Sequence, residues 1–441
     1  MPHFLKNDVA EDWALTTPCR EFGVFELLAE AKRIAGLVRD QSIQRVAIRS
    51  NDTFSLLAGL IGLDSAVTAV MLLPDQLDSA SAEALLAEAQ IDAELDVTMK
   101  SCAFERADFD SDGFCRVDGS IETVWVLCTS GTTAAPKAVF HTMNSLTANI
   151  RRRTGQGAGY RWGLVYSPTK FAGLQVVLHA LLAGRGLVDC SSLMDVEKQA
   201  ALMLKAGVDA LSGTPGFWRK WLMNPGARAL ELKQITLGGE IVDQRLLDSL
   251  ARVYPTARLT HIYASTEVGV GFSVSDGQAG FPSSWVDTKD APVQMRISKD
   301  NTLLLRPKLP TKGQHIDSLL DSEGYIDSGD VVELLGSRVF FKGRANGTIN
   351  VGGNKIFPEV VERLIRNVTG VHDARIYGRS SGLMGEVLCA DIVINEIAEW
   401  SKVKDAIVDR CRNALPEWQR PALVKRVQSI QLTPYGKVSR P

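Results

Sequence analysis

The chain has neither the cysteine spacing nor the charge excess that would mark several large protein classes. Its seven cysteines (positions 19, 102, 115, 128, 190, 389 and 411) form no CxxC pair and no metal-ligand pattern, so they read as free thiols of a reducing compartment. Forty-nine basic residues face 51 acidic ones, a formal net charge of −2, which leaves no electrostatic footprint for nucleic acid or an acidic surface. No GxxxxGK[ST] pattern occurs, and no GxGxxG opens a helix, so a dinucleotide fold has no support. Fixed-period repeats and low-complexity tracts are also missing. The N-terminal "MPHFLKNDVAEDW" has no charged start followed by an apolar core, so no signal peptide is expected. The longest apolar stretch, "FSLLAGLIGLDSAVTAVMLLP" (54–74), is interrupted by Asp64 and closed by Pro74. An ionisable group at a bilayer centre costs about 2.5–3.5 kcal/mol on insertion scales. The stretch therefore reads as a buried helix, a turn at Gly62 to Ser65 and a buried strand, and the expected location is the cytoplasm, with no membrane partner.

At 441 residues, 45% hydrophobic and 23% charged, the chain has the composition of a globular enzyme of two or three domains. Helical and strand-like segments alternate from residue 21. "EFGVFELLAEAKRIAGLVRD" precedes "RVAIRS", "AEALLAEAQ" precedes "VWVLCTS", and "RLLDSLARVYPTARLTHIYAS" joins both types. This predicts an α/β fold with largely parallel sheets. A polar "KGRANG" at 342–347 separates a strand- and turn-rich region from about 95 residues with two clear helices, enough for a small core of its own. The expected division is 1–343 for a large N-terminal domain and 344–441 for a small C-terminal one.

Five stretches carry chemistry. "VWVLCTSGTTAAPKAVFHT" runs from an apolar strand into hydroxylated residues and a lysine. Thr129, Ser130, Thr132 and Thr133 offer hydroxyls, Gly131 allows close backbone approach, and Lys137 adds a positive charge, a combination suited to phosphate oxygens. "HIYASTEVGVG" (261–271) brings up Tyr263, which could stack on a flat base, and Glu267, which could hold Mg²⁺. "YIDSGDVVEL" offers Asp330, and "FKGRANGTINVGGNKIFPEVVE" offers Arg344, a pair suited to ribose hydroxyls and phosphate. "LTPYGKVSRP" closes with Lys437 in a turn. Taken singly, each has a plain structural alternative: a polar connection, an ordinary strand end, a solvated charge.

In this fixed order the five resemble the adenylate-forming superfamily of acyl-CoA synthetases, adenylation domains and luciferases. "TSGTTAAPK" is similar to its phosphate loop, "YASTE" to its Y-G-x-T-E element, "SGD" to its ribose-binding motif, "GRANGTINVGGNKIFPEVVE" to its hinge and interdomain loop, and "LTPYGKVSR" to its lysine-bearing end. The resemblance runs from about residue 21 onward. It implies a large domain of stacked, mostly parallel sheets with a distorted β-barrel, and a small mobile α+β domain that rotates about its hinge. It further implies that 129–137 hold the ATP phosphates, that Tyr263 stacks on adenine, and that Gly238, Gly239 and Glu240 border the same base. Glu267 would assist Mg²⁺ with Thr266 near the α-phosphate, Asp330 and Arg344 would serve the ribose, Lys437 would bridge carboxylate and α-phosphate, and Asn346 would be the pivot. The implied reaction is carboxylate activation to acyl-AMP, then transfer to a thiol, with coenzyme A the expected acceptor. A carrier protein's phosphopantetheine and a non-catalytic nucleotide-binding role are the alternatives.

The sequence departs from the family pattern in places. Ala134 and Ala138 stand where glycine is common, which should limit the loop's backbone freedom. Ala264 also replaces glycine, Gln431 stands where proline is common, and the N-terminal region looks short. The segment "YSPTKFAGLQVVLHALLAG" (166–184) lacks the acid that amino-acid-activating relatives use, which points to small carboxylic acids of the aryl or o-succinylbenzoate type. Lys170 could pair with a second acidic group on such a substrate, or be solvated. Phe171, Gly213, Thr214, Ala264 and Gly269 complete the candidate acid pocket, while His141 and His261 read as structural.

Overall fold

Period-two alternation organises the centre of the molecule. In three neighbouring strands (Arg45–Arg49, Ala69–Leu73 and Val124–Thr129) Val46, Ile48, Val70, Leu72, Trp125 and Leu127 enter one core, while Ala47, Met71, Leu73, Val126 and Cys128 enter another. Strands buried on both faces must sit in a parallel sheet covered on each side. A computed structural model of the chain describes residues 11–41, 43–50, 52–74, 77–98, 101–106, 122–129, 136–150, 159–289, 291, 293–307, 311, 314–381, 385–395, 397–433 and 437–440.

With the strand Ala93–Thr98, those three form the parallel middle of a six-stranded sheet with antiparallel edges. An eight-stranded sheet, parallel through its centre, lies on the far side of the shared core. Between the two sheets run the helices Val24–Asp40, Thr53–Leu63 and Phe171–Ala183. The second of these is the first half of the apolar stretch 54–74. It ends at Asp64 and is followed by the buried strand Ala69–Leu73, as the sequence suggests. No helix among the described residues is long and apolar enough to cross a membrane. The outer face of the eight-stranded sheet is covered by the helices Val196–Lys205, Pro215–Met223 and Gln244–Val253.

A five-stranded antiparallel sheet follows, ending in the strand Arg338–Arg344. After the exposed turn Ala345–Gly347 the chain enters another sheet at Ile349–Val351, packed with the helices Pro358–Arg366 and Trp400–Ala414 around a separate core. The fold is thus mixed α/β: two stacked, mostly parallel sheets with helices, an antiparallel sheet, and a smaller α+β unit.

The smaller unit is docked on the helices Pro215–Met223 and Gln244–Val253. Arg219 pairs with Asp243 at 2.6 Å and reaches Asp373 at 3.7 Å, and Arg366 meets Asp373 at 2.8 Å and Asp243 at 3.8 Å. All four side chains are at most 10% exposed. Burial opposes ionisation of Asp243, but Arg219 and Arg366 outweigh it and hold the carboxyl below the usual range. Backbone contacts add to the seam, because Arg245 donates to the Val368 and Val371 carbonyls and His372 Nε2 to that of Arg219.

Candidate functional site

The strand Val124–Thr129 pairs antiparallel with Lys137–Thr142, in register from Val124↔Thr142 to Thr129↔Lys137. The stretch from Ser130 to Ala135, including Gly131, Thr132, Thr133 and Ala134, lies outside the described residues. The last pair of that register is joined by the Lys137 amide donating to Thr129 Oγ1 at 3.3 Å. Ala138 belongs to the strand, fully buried opposite Cys128, with its amide donating to Glu88. A methyl there packs into the core beside Cys128, and the position of Ala134 lies outside the described residues.

The strand Arg258–Ser265 lies beside the strand Gln234–Gly238 in the same sheet, so Tyr263 and Gly238–Glu240 emerge at one edge. A register shift between Tyr263 and Ala264 carries the chain into the turn that holds Thr266 and Glu267. Gly269 resumes pairing opposite Ser265 at φ +74°, a conformation that favours glycine. The Tyr263 ring packs nearly parallel to Phe272 and Phe341, with centroids at 5.3 and 5.2 Å. Its hydroxyl donates to Asp330 Oδ2 at 2.6 Å, while Arg344 Nε donates to Oδ1 at 3.2 Å. Asp330 and Arg344 are cross-strand partners, so register alone brings this pair together. Gly329, at φ +68°, precedes Asp330 in the same strand, where pairing with the neighbouring strand shifts register.

Lys437 enters from the smaller unit. Its backbone exchanges two bonds with Thr433, the Thr433 amide reaching the Lys437 carbonyl at 2.7 Å and the Lys437 amide reaching Thr433 Oγ1 at 3.2 Å. The side chain is solvent-accessible at the cleft, yet protein atoms crowd its amine. That crowding, reinforced by Arg344, lowers its pKa, while Glu240, Asp330 and Glu267 pull the other way. Residues from five separate stretches of the chain thus meet at one place. Nothing among the described residues clusters three or more His, Cys, Asp or Glu into a metal site. A lone carboxylate at Glu267 fits Mg²⁺, which is commonly held by one or two carboxylates together with substrate phosphates.

Among the residues expected for the acid pocket, Thr214 caps the helix Pro215–Met223 by accepting from the Phe217 amide at 3.0 Å. Gly213 lies against the Phe217 ring, where an added Cβ would come within 2.3 Å. Lys170 is the N-cap residue of the helix Phe171–Ala183; burial lowers its pKa, countered by the nearby Cys128 thiol. Burial in turn pushes that thiol up to about 12. Phe171 meets the His141 ring at 5.9 Å. His261 sits within its strand and bonds the Gln278 carbonyl, and His141 Nδ1 lies 3.3 Å from Ser145 Oγ. Asn346 is exposed in the turn between the two units. Sequence reading missed two groups: Phe272 and Phe341 against Tyr263, and the buried Arg219, Asp243, Arg366 and Asp373. Arg219, set among the aromatic residues of "GFWRKWL", was the one visible signal for the second group.

The family described as AMP-binding enzyme matches residues 9–307, and its AMP-binding enzyme C-terminal domain matches 360–437. The 2-succinylbenzoate--CoA ligase of Listeria innocua is 23% identical, over 94% of this chain and 91% of that protein. Surfactin synthase subunit 1 of Bacillus subtilis is 25% identical over 72% of this chain, which spans only 10% of that much longer protein. Enterobactin synthase component E of Escherichia coli is 25% identical, over 72% of this chain and 64% of that one. Among solved structures, the anthranilate CoA ligase AuaEII in complex with anthranoyl-AMP superposes with a TM-score of 0.78 at 14% identity, covering 98% of this chain and 93% of the other. The o-succinylbenzoate CoA synthetase of Bacillus subtilis in complex with OSB-AMP gives 0.69 at 17% identity, covering 97% and 94%. At such identities these structures establish a shared fold.

Proposed function

Since the chain belongs to the AMP-binding enzyme family, we propose that it activates a small carboxylic acid with ATP to an acyl-AMP, releasing pyrophosphate, and passes the acyl group to a thiol, with coenzyme A as acceptor. The observation that carries this is the convergence of Lys437 with Glu240, Glu267, Asp330 and Arg344 at one place. A carboxylate attacking an anionic phosphate needs charge neutralisation rather than a strong base, and fixed donors where charge develops supply it.

Asp330, held by Tyr263 and Arg344, presents a fixed carboxylate to the ribose hydroxyls. Lys437 bridges the attacking carboxylate and the α-phosphate, and Thr129 and Lys137 anchor the two ends of the phosphate loop. Mg²⁺, held at Glu267, would neutralise phosphate charge. Residues 1–343 bind ATP and acid, and 344–441 carry the lysine about a hinge at Asn346. At the acid pocket, Lys170 favours substrates with a second acidic group, and the names of the 2-succinylbenzoate ligases agree with that preference.

Pyrophosphate release over a panel of benzoate, anthranilate, 2-succinylbenzoate, malonate and short-chain acids tests the reading. Turnover is expected with an aromatic or dicarboxylic acid, and coenzyme A should be consumed in step. Adenylate formed without coenzyme A consumption would point to a carrier protein instead. Tight ATP binding with no turnover on any acid would leave a nucleotide-binding protein. Lys437→Ala should abolish adenylation and spare thiol transfer from preformed acyl-AMP; equal loss of both half-reactions would remove that role from Lys437.

A further inference from the structure

Glu240 follows Gly238 and Gly239 at the end of a strand of the large sheet, Gly239 taking φ +80° to turn the chain. Its carboxylate does not stand free for a ligand. Oε1 accepts the Val438 amide at 2.6 Å, and Oε2 accepts the Gly216 amide at 2.9 Å. Gly216 lies in the first turn of the helix Pro215–Met223, where amides have no partner within the helix. Val438 is the neighbour of Lys437 in the smaller unit. One carboxylate therefore joins the large unit's helix to the small unit's tail, a single residue from the amine in the cleft.

The fit around this junction is close. A Cβ built on Gly216 would come within 3.0 Å of Leu432 Cδ2, 3.1 Å of Glu240 Oε2 and 3.6 Å of Val438 Cγ2. The tail is itself a closed hairpin, since Leu432 and Val438 form an antiparallel bridge and the Ser439 amide donates to the Gln431 carbonyl at 3.0 Å. A hairpin held at its neighbouring amide cannot slide, so the Lys437 backbone is fixed in depth and direction.

We propose that Glu240 is a positioning residue: its two oxygens clasp the Val438 and Gly216 amides and thereby hold Lys437 at the reacting groups during adenylation. This rests on the reading of Lys437 given above. It replaces the expectation that Glu240 borders the adenine base.

A carboxylate has acceptors on both oxygens, whereas an amide has one, so Glu240→Gln must lose one arm or oppose two donors. Two measurements test the clasp. In hydrogen exchange on the free enzyme, the peptide containing Val438 should exchange faster in Glu240→Gln than in wild type while peptides of the two cores stay unchanged. In ATP–pyrophosphate exchange with the most active acid of the panel, Glu240→Gln should lose about 10–100-fold in kcat, the scale expected for a small displacement of a catalytic group. KM for ATP should hold steady, and thiol transfer from preformed acyl-AMP should stay near wild type. Gly216→Ala, which keeps the carboxylate but crowds the tail, should reproduce the selective loss.

A raised KM for ATP at constant kcat would return Glu240 to the base pocket and overturn the clasp. Unchanged exchange of the tail peptide, or parallel loss of both half-reactions, would overturn it as well. Lys437→Ala measured alongside separates the two ideas. If Lys437→Ala retains adenylation, the lysine reading fails. If it abolishes adenylation while Glu240→Gln behaves as wild type, only the clasp fails.

Discussion

His141 shows how a single side chain ties stability to pH. It is 2% exposed, on the strand Lys137–Thr142, and burial lowers its pKa from 6.5 to about 4. The folded protein therefore binds fewer protons than the unfolded chain in that window. Its contribution to stability is complete above 6.5 and is lost as pH falls toward 4. Urea titrations at a series of pH values should show the unfolding midpoint falling through this range, and His141→Gln should flatten that part of the profile. An identical slope in the variant would mean that other groups govern acid sensitivity. Both oxygens of Asp330 are already engaged, by Tyr263 and Arg344, so under the proposed function ribose hydroxyls would share or displace existing donors.

Among elements, the helix Phe171–Ala183 begins at Lys170 and Phe171, two of the residues proposed for the acid pocket. It is lodged between two sheets, and the Trp13 indole donates to its Ala180 carbonyl at 2.8 Å. Its first turn fits only because residue 173 is glycine: a Cβ would lie 2.1 Å from the Ser167 carbonyl oxygen, a backbone atom that cannot step aside. Gly173→Ala should push the helix start outward, displacing Lys170 and Phe171. Thermal unfolding should show a loss on the order of 1–3 kcal/mol, the usual cost of overpacking a fitted site, together with a raised KM for the acid. Unaltered stability would mean the turn relaxes freely. Most such elements were legible in the sequence because their signals are local. Apolar runs around Asp64 gave the helix and strand there, and alternation gave the central strands. The contacts of Arg219 were not legible, because its partners Asp243 and Asp373 are far along the chain and meet it only through packing. Glu240 was visible as part of "GGE", but its role depends on a tail almost two hundred residues away.

For the whole molecule, the seam between the large and small units is ionic and buried. Removing one member of such a cluster leaves unpaired charge in low dielectric, which typically costs about 3–5 kcal/mol. Asp243→Ala removes the 2.6 Å partner of Arg219 and leaves that guanidinium only the longer contact to Asp373 at 3.7 Å, so it should lower stability by up to about that amount and loosen the small unit. Calorimetry should then resolve a separate, earlier transition for residues beyond 347. A single transition at the wild-type temperature would show that the cluster adds little to docking. Tyr263, Glu267, Asp330, Arg344 and Lys437, which the structure brings close together, were each visible as part of a motif, since each motif keeps its own spacing, while the core of the phosphate-loop motif lies outside the described residues. The way the small unit seats against the large one was not, because complementary charges on separate helices leave no pattern along the chain.

The exposed turn Ala345–Gly347 gives this seam another consequence. Each side of the turn has its own sheet and its own apolar core, and the surfaces that meet carry matched charges and backbone bonds. Covalent continuity through the turn then contributes mainly effective concentration. Two separately expressed fragments, divided at Gly347, should find each other and restore adenylation, with a rate that depends on the concentration of the smaller piece. Complementation of this kind would make the protein a divisible reporter, its activity recording whether two attached partners have met.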